Sequence, residues 1–127
     1  MDLLKRPTLS LTTLVFCLSL TACRSPFVRT SIVNHTGSVV KLIEVDYPNA
    51  SFGTQQIAVD TAYHYRFQIQ GPGLVKISFT GAKNKIYKAT GPKLEKGQEG
   101  SLVIALETDG KVTWTPSLTK ARTFFGW

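Results

Sequence analysis

The sequence contains few of the residues from which catalytic and metal sites are usually built. Its 127 residues include two cysteines, two histidines and one methionine, and 18% of them are charged. The histidines, His35 and His64, lie far apart in the chain, whereas metal sites commonly use closely spaced His or Cys pairs. No Gly-x-Ser-x-Gly motif occurs, and no long segment has the apolar periodicity of a helix. These absences argue against a metalloenzyme, a serine hydrolase and a helical fold.

The overall composition is that of one compact domain. Hydrophobic residues make up 43% of the chain and aromatic residues 10%, which is enough to fill a core and argues against a disordered, collagen-like or coiled-coil chain. At about 150 residues per domain, the length leaves no room for a second catalytic domain. The formal net charge of +7 favours an anionic partner.

The N-terminal segment has the pattern of a targeting signal. Lys5 and Arg6 precede an uncharged, leucine-rich run over residues 8–20. A run of about 13 residues spans about 20 Å as a helix, which is short of the roughly 30 Å hydrocarbon core of a bilayer. The pattern therefore predicts a signal peptide rather than a transmembrane helix.

The uncharged run ends in Leu20-Thr21-Ala22-Cys23, which resembles the lipobox of bacterial lipoprotein precursors. The resemblance is confined to this N-terminal segment. It implies cleavage between Ala22 and Cys23, with residues 1–22 as the signal peptide, and a diacylglyceryl group on the Cys23 sulfur, so that residues 23–26 form a lipidated tether. Two or three acyl chains hold a small domain on a membrane where one chain binds only marginally. The alternative is an ordinary secretory signal in which Cys23 has no role.

The same resemblance bears on location and on thiol chemistry. In lipoproteins of enteric-type bacteria, an aspartate after the modified cysteine tends to retain the protein in the inner membrane. The residue here is Arg24, so we expect the periplasmic side of the outer membrane in a Gram-negative host. Cys17 lies in the predicted signal peptide and Cys23 is used by the lipid. The mature domain then has no thiol for a disulfide, and its stability must come from its core.

The rest of the chain alternates between short segments rich in Val, Ile, Tyr, Phe and Thr and turns that contain Gly, Pro, Asn or Asp. The turns recur about every 8–12 residues, a spacing typical of a β-sandwich or a barrel. We predict strands at residues 27–33, 39–45, 55–59, 63–70, 74–80, 85–90, 102–107 and 111–115.

A first hairpin is predicted in the middle of the chain. In residues 63–70 aromatic and aliphatic side chains alternate with polar ones, so one face of the strand should be buried and the other exposed. Gly71-Pro72-Gly73 then offers a tight turn, and residues 74–80 repeat the alternation. The two strands are therefore predicted to pair with each other.

A second hairpin is predicted to join residues 102–107 to residues 111–115. Between them lies Asp109-Gly110, a pair that accepts the positive φ angles of a type I′ turn. Further turns are predicted at Asn34-His35-Thr36-Gly37, between the first two strands, and at Asn84.

Strands with one apolar face must bury those faces against one another. The economical arrangement is an all-β, antiparallel two-sheet β-sandwich of immunoglobulin-like type, with seven or eight strands over residues 27–115. A small β-barrel is the alternative. The cysteine pair around a tryptophan that marks immunoglobulin domains is absent, so the likeness is architectural and implies no function. Residues 116–127 are expected to form an aromatic C-terminal tail.

Five lysines lie in one short stretch, with Glu95 as the local acid. They are Lys83, Lys85, Lys88, Lys93 and Lys96. Lysines on an edge strand discourage edge-to-edge aggregation. They also suit contact with anionic lipid headgroups, lipopolysaccharide phosphates or the acidic groups of a cell wall, an interaction that salt would weaken. The sequence is compatible with either role.

The last residues are a second candidate surface. Phe124, Phe125 and Trp127 lie within the final four positions, after Lys120 and Arg122. Such aromatic residues either dock on the domain and cover an open sheet edge, or bind a protein partner or the membrane interface.

The other polar candidates resemble ordinary surface positions. Glu44 and Asp46 point to one side of a predicted strand, and Glu95 lies near Glu99, as a glycosidase pair would require, but all four look like solvated charges. The glycine-containing segment 91–100 leads into a strand rather than a helix. It therefore predicts a chain reversal instead of a phosphate-binding loop.

The sequence thus predicts a non-enzymatic, membrane-anchored lipoprotein. Its β-sandwich would be a binding or structural accessory module for envelope proteins or anionic envelope polymers. A periplasmic module that binds a small ligand or a metal is the alternative, and an unrecognised hydrolase is a third. No cofactor is expected, and no nucleic-acid partner is expected outside the cytoplasm.

Overall fold

The structure is a computed structural model that describes residues 25–121, and this part of the chain is all β. Two short 3-10 turns occur among these residues and no α-helix. The all-β prediction is confirmed. The eight strands are β1 (Val28–Asn34), β2 (Val40–Tyr47), β3 (Ala50–Ile57), β4 (Ala62–Phe67), β5 (Gly73–Thr80), β6 (Ile86–Leu94), β7 (Gln98–Leu106) and β8 (Val112–Lys120).

The strands form two four-stranded sheets that make a sandwich. Sheet A has the order β4-β1-β7-β8, and sheet B has the order β3-β2-β5-β6. The sheets do not close into a barrel, so the sandwich prediction is confirmed and the barrel alternative is wrong. Neighbouring strands are antiparallel except β1 and β7, which are parallel. The expectation of an antiparallel sandwich is corrected at this pair, whose members are too far apart in sequence to be joined by a hairpin.

The core lies between the sheets and is made of aliphatic and phenylalanine side chains. Because successive side chains of a strand point to opposite faces, every second residue of most strands is buried. The buried hydrophobic residues are Val28, Ile32, Val40, Ile43, Val45, Phe52, Ile57, Phe67, Ile69, Val75, Ile77, Phe79, Leu94, Leu102, Ile104 and Leu106.

All eight predicted strands are present, but several are longer than predicted, and β4 is shorter than the predicted 63–70 because it ends at Phe67. β3 begins at Ala50, so residues 55–59 covered only its last part. β6 and β7 extend into segment 91–100 and leave a turn over residues 95–97 between the two sheets. β8 continues to Lys120 and packs Leu118 against the core, so the first residues of segment 116–127 belong to the sandwich.

The first predicted hairpin is wrong. β4 pairs with β1 in sheet A, whereas β5 pairs with β2 and β6 in sheet B. Gly71-Pro72-Gly73 therefore carries the chain from one sheet to the other instead of reversing it within a sheet. Residues 63–70 alternate in sequence although they do not pair with β5, because Phe67 and Ile69 are both buried in the core. Alternation reports which face is buried and does not report which strand is the neighbour.

The second predicted hairpin is confirmed. β7 and β8 are antiparallel neighbours. In the turn between them, Asp109 has φ 63° and Gly110 has φ 77°, the positive angles that were expected. The turn predicted at Asn84 is also present, since Lys83 and Asn84 have φ 59° and 58° between β5 and β6.

Aromatic rings against glycines close the side of the sandwich where β6 meets β8. The Trp114 ring of β8 lies against Gly91 of β6, where an added Cβ would come within 2.6 Å of the indole. The Tyr87 ring of β6 lies in the same way against Gly110 of the β7–β8 turn. Each ring thus occupies space that a larger residue would need.

A cluster of stacked rings closes the opposite side, where β3 meets β4. Phe52 stacks on Tyr65 with ring centroids 4.3 Å apart, and Tyr47 packs on Phe67 at the same centroid distance. Burial, together with the nearby Tyr65, raises the pKa of the Tyr47 hydroxyl.

The Gly110 contact predicts a large effect for a small substitution. Gly110→Ala places a methyl group in the Tyr87 ring at a residue with positive φ, and we expect it to lower the free energy of unfolding by about 2–4 kcal/mol. Gly97→Ala is the matched control, because Gly97 has φ 85° and an added Cβ would meet nothing within 4 Å. It should lose only about 1 kcal/mol, the cost of placing an L-residue at positive φ. Urea unfolding measures both, and equal losses would show that backbone strain alone accounts for the effect.

A buried asparagine joins three parts of the chain at one end of the sandwich. The Asn34 Nδ2 donates to the carbonyl oxygens of Ser38 (2.8 Å) and Ile57 (3.0 Å), and its Oδ1 accepts from the backbone N–H (3.0 Å) and the hydroxyl (2.7 Å) of Thr36. Its side chain is fully buried. The contacts fix the β1–β2 loop against the end of β3.

Candidate functional site

The five candidate lysines lie along one edge of the sandwich. β6 is an edge strand of sheet B, and it carries Lys88 and Lys93. Lys83 and Lys85 lie in the turn before β6, and Lys96 lies in the turn after it. All five are exposed. We call this set the lysine edge.

The lysine edge is a line rather than a cluster. A nine-residue strand such as β6 spans about 27 Å, so the lysines at its two ends cannot contact the same small ligand. The Lys85 ammonium lies 5.2 Å from the centroid of the Tyr87 ring, an arrangement that favours a cation–π interaction. The geometry suits an extended anionic partner and also protects the edge from pairing with another strand.

Acidic side chains lie elsewhere on the outer face of sheet B. Glu44 and Asp46 are both exposed on β2, and Asp46 is directly opposite Lys76 of β5. Glu95 lies in the β6–β7 turn and Glu99 lies on β7 in sheet A. Glu44 and Asp46 therefore lie on a different part of the surface from Glu95 and Glu99.

The two histidines lie in different places. His35 is in the β1–β2 loop, with its Nδ1 3.9 Å from the Asp60 carboxylate, and both side chains are largely exposed. His64 is on β4, where its Nδ1 is 2.9 Å from the Ser31 hydroxyl. Among residues 25–121, no group of three or more His, Cys, Asp or Glu side chains could hold a metal ion.

An open depression of about 560 Å³ lies on the outer face of β2 and β3, not between the sheets. Leu42 lines it at a bulge in β2, where its side chain is 61% exposed and its φ is 50°. Gly53 lies opposite Glu44 and packs so closely on the Ile43 carbonyl that no side chain fits there. No local pattern in the sequence signals this bulge, because it depends on the alignment of three strands.

The structure also brings together two arginines that sequence reasoning did not single out. Arg29 of β1 and Arg66 of β4 are register partners on the outer face of sheet A. Each belongs to an ordinary alternating strand, and only the pairing of β1 with β4 makes them neighbours. A correct prediction of strand order would have found them.

Other predicted residues lie outside the part of the chain that the structure describes. These are the cleavage site at Ala22, the lipidation site at Cys23, and the aromatic residues Phe124, Phe125 and Trp127. Within residues 25–121, no helix has the length and apolar character needed to span a bilayer.

Comparisons with protein-family models, with curated proteins and with solved structures give no match for this chain.

Proposed function

We propose that this protein is a lipid-anchored lipoprotein of the bacterial cell envelope, whose β-sandwich binds anionic envelope polymers or envelope proteins through the lysine edge and does not catalyse a reaction. The observation that carries the proposal is the exposure of all five candidate lysines along one edge of the sandwich, two on the edge strand β6 and three in the turns that flank it. The lipobox-like sequence that ends at Cys23 supports the location.

The direction of the lysine edge supports binding to a long partner. The described chain begins and ends at one end of the sandwich, because the Gly100 N–H donates to the Phe27 carbonyl and the Ala121 N–H donates to the Gly97 carbonyl. We call this the proximal end and the other the distal end. β6 runs from the distal end, next to Lys85, to the proximal end, next to Lys96. A polymer that extends away from the membrane could therefore follow the whole edge.

The lysine edge predicts salt-sensitive binding that depends on particular lysines. In the full chain, Lys88→Gln, Lys93→Gln and Lys96→Gln together should weaken binding to immobilised lipopolysaccharide about tenfold, since each screened surface charge contributes about 0.5 kcal/mol. Surface plasmon resonance at low and high salt measures the change.

A control with the same loss of charge separates the lysine edge from net charge. Lys41, Lys76 and Lys111 are exposed and lie outside the edge, so changing all three to glutamine should weaken binding less than threefold. Equal losses in the two triple variants would reject the lysine edge as the binding surface.

A further inference from the structure

Two positive side chains face each other across the outer surface of sheet A. Arg29 and Arg66 are directly opposite in the antiparallel β1–β4 pair, and both are exposed, while their chain neighbours Val28 and Phe67 are buried. Directly opposite residues have Cβ atoms about 4.5–5.5 Å apart. Both guanidinium groups can therefore reach one small anion.

No carboxylate of residues 25–121 lies within 4.0 Å of either guanidinium. Like charges directly opposite each other destabilise a sheet, so the unliganded pair has an unfavourable interaction that an anion would remove. Glu99 is the acid on the same face among these residues, and it lies on β7, two positions before Ser101, the register partner of Arg29. The face is therefore positive at the two arginines.

One guanidinium is already positioned by an aromatic ring. The Arg66 Cζ lies 4.4 Å from the centroid of the Phe27 ring, which is itself 37% exposed. Stacking on a ring restricts the side chain but leaves the N–H groups at the edge of the guanidinium plane free. That planar set of donors matches the oxygens of a phosphate in a bidentate arrangement, which a lysine cannot reproduce.

We propose that Arg29 and Arg66 bind the phosphate group of a membrane phospholipid and hold the β1–β4 part of sheet A against the bilayer surface. This inference rests on the proposed lipid anchor. Six residue steps separate Cys23 from Arg29, and they span at most about 21 Å when fully extended. Arg29 is the second residue of β1, so the pair lies near the proximal end. It is therefore within reach of the headgroup layer that would hold the acyl chains. The exposed Phe27 ring beside it is an apolar side chain of the kind that enters the boundary between headgroups and acyl chains.

The test measures vesicle binding in the full chain with Cys23→Ser, so that acyl chains do not mask the arginines. The vesicles are phosphatidylcholine with or without phosphatidylglycerol. Arg29→Gln with Arg66→Gln should lower the partition coefficient on the phosphatidylglycerol vesicles about 30-fold, because each basic residue near an anionic surface contributes about fivefold. Lys41→Gln with Lys111→Gln, which removes the same charge near the distal end, should lower it less than threefold. Equal losses would overturn the proposal.

Two further comparisons test the phosphate chemistry. Arg29→Lys with Arg66→Lys keeps the charge and should still lose at least fivefold, whereas unchanged binding would reduce the pair to a general positive charge and reject a phosphate site. Phosphate-free vesicles of monoolein and oleate, matched in surface charge, should bind the parent chain at least fivefold more weakly than phosphatidylglycerol vesicles. Equal binding to the carboxylate surface would also reject it.

Thermal unfolding separates binding from folding. Because the two charges repel each other, the double glutamine variant should unfold at the same temperature as the parent or a higher one. A lower Tm would assign the pair a structural role. The vesicle measurements and the lipidation of Cys23 can fail separately. If the parent chain is lipidated at Cys23 but does not bind phosphate through the arginines, only the arginine site is rejected. If it binds phosphate but is not lipidated, only the anchor is rejected.

Discussion

Replacing Cys23 with serine should move the full chain from the membrane fraction to the soluble fraction, with at least a tenfold fall in the membrane-bound share after a high-salt wash. A serine cannot accept the diacylglyceryl thioether that the lipobox-like sequence implies. Each buried methylene group of an acyl chain contributes about 0.8 kcal/mol, so loss of the acyl chains removes far more binding energy than surface charges can replace. The salt wash removes the electrostatic contribution of the lysine edge and of Arg29 and Arg66.

Cys17→Ser is the matched control for this experiment. It changes the other cysteine of the chain, which lies within the predicted signal peptide, and it should leave the protein in the membrane fraction. Intact-mass measurement of the parent should give a mature chain that starts at residue 23 and carries acyl groups. A Cys23→Ser chain from which residues 1–22 have been removed, as intact mass shows, and that still sediments with membranes after the wash would contradict the anchor.

Replacing Asn34 with alanine should lower the free energy of unfolding by about 3–5 kcal/mol. The substitution leaves the carbonyl oxygen of Ile57 and the backbone N–H of Thr36 without their Asn34 partner, and it removes one of the two side-chain donors to the Ser38 carbonyl, which keeps its bond from the Thr36 hydroxyl. Each unsatisfied buried polar group costs about 1–3 kcal/mol. Because small domains are stable by only about 5–15 kcal/mol, this loss is a large fraction of the total stability.

Urea unfolding followed by circular dichroism measures the loss. Gln55→Ala removes an amide side chain from an exposed position of β3 and should change stability by less than about 0.5 kcal/mol. If Asn34→Ala proves as mild as this control, water must replace the lost hydrogen bonds and the asparagine does not hold the loop in place. Asn34→Asp tests the same point, since it keeps the acceptor and removes the Nδ2 donor.

Much of the sandwich could be predicted because alternation is a local property of each strand. In β5, Val75, Ile77 and Phe79 are buried while the residues between them face outward, as their sequence indicates. The β7–β8 turn could also be predicted, because Asp109-Gly110 tolerates positive φ at both positions. The exposed lysine edge followed from the same pattern.

Strand pairing could not be predicted from the alternation within single strands. Residues 63–70 and 74–80 looked like a hairpin because they are adjacent in sequence and separated by a turn, yet they belong to different sheets. The parallel pairing of β1 with β7 depends on contacts between residues about 70 positions apart, such as the bond from the Thr30 hydroxyl to the Leu102 carbonyl. No local pattern encodes such a contact.

The candidate sites differ in the same way: some can be predicted from consecutive residues, and others depend on which strands are neighbours. The lipobox-like sequence and the lysines are features of consecutive residues, so they are visible before any fold is known. The juxtaposition of Arg29 with Arg66, and the position of the Arg66 guanidinium over the Phe27 ring, exist only because β4 lies beside β1. The role of Asn34 was equally hidden, since its partners come from a loop and from the end of β3.

The amino-acid sequence by itself determined that residues 25–121 are all β, roughly where the eight strands lie, which side of most strands is buried and where the positive charge is concentrated. These properties depend on neighbouring residues and on the two-residue repeat of a strand. Only the tertiary structure decided which strands are neighbours, which loops are joined by Asn34 and which charges face each other. Those features arise from the packing of two sheets around one core, where several pairings would bury the same faces and the fold selects one.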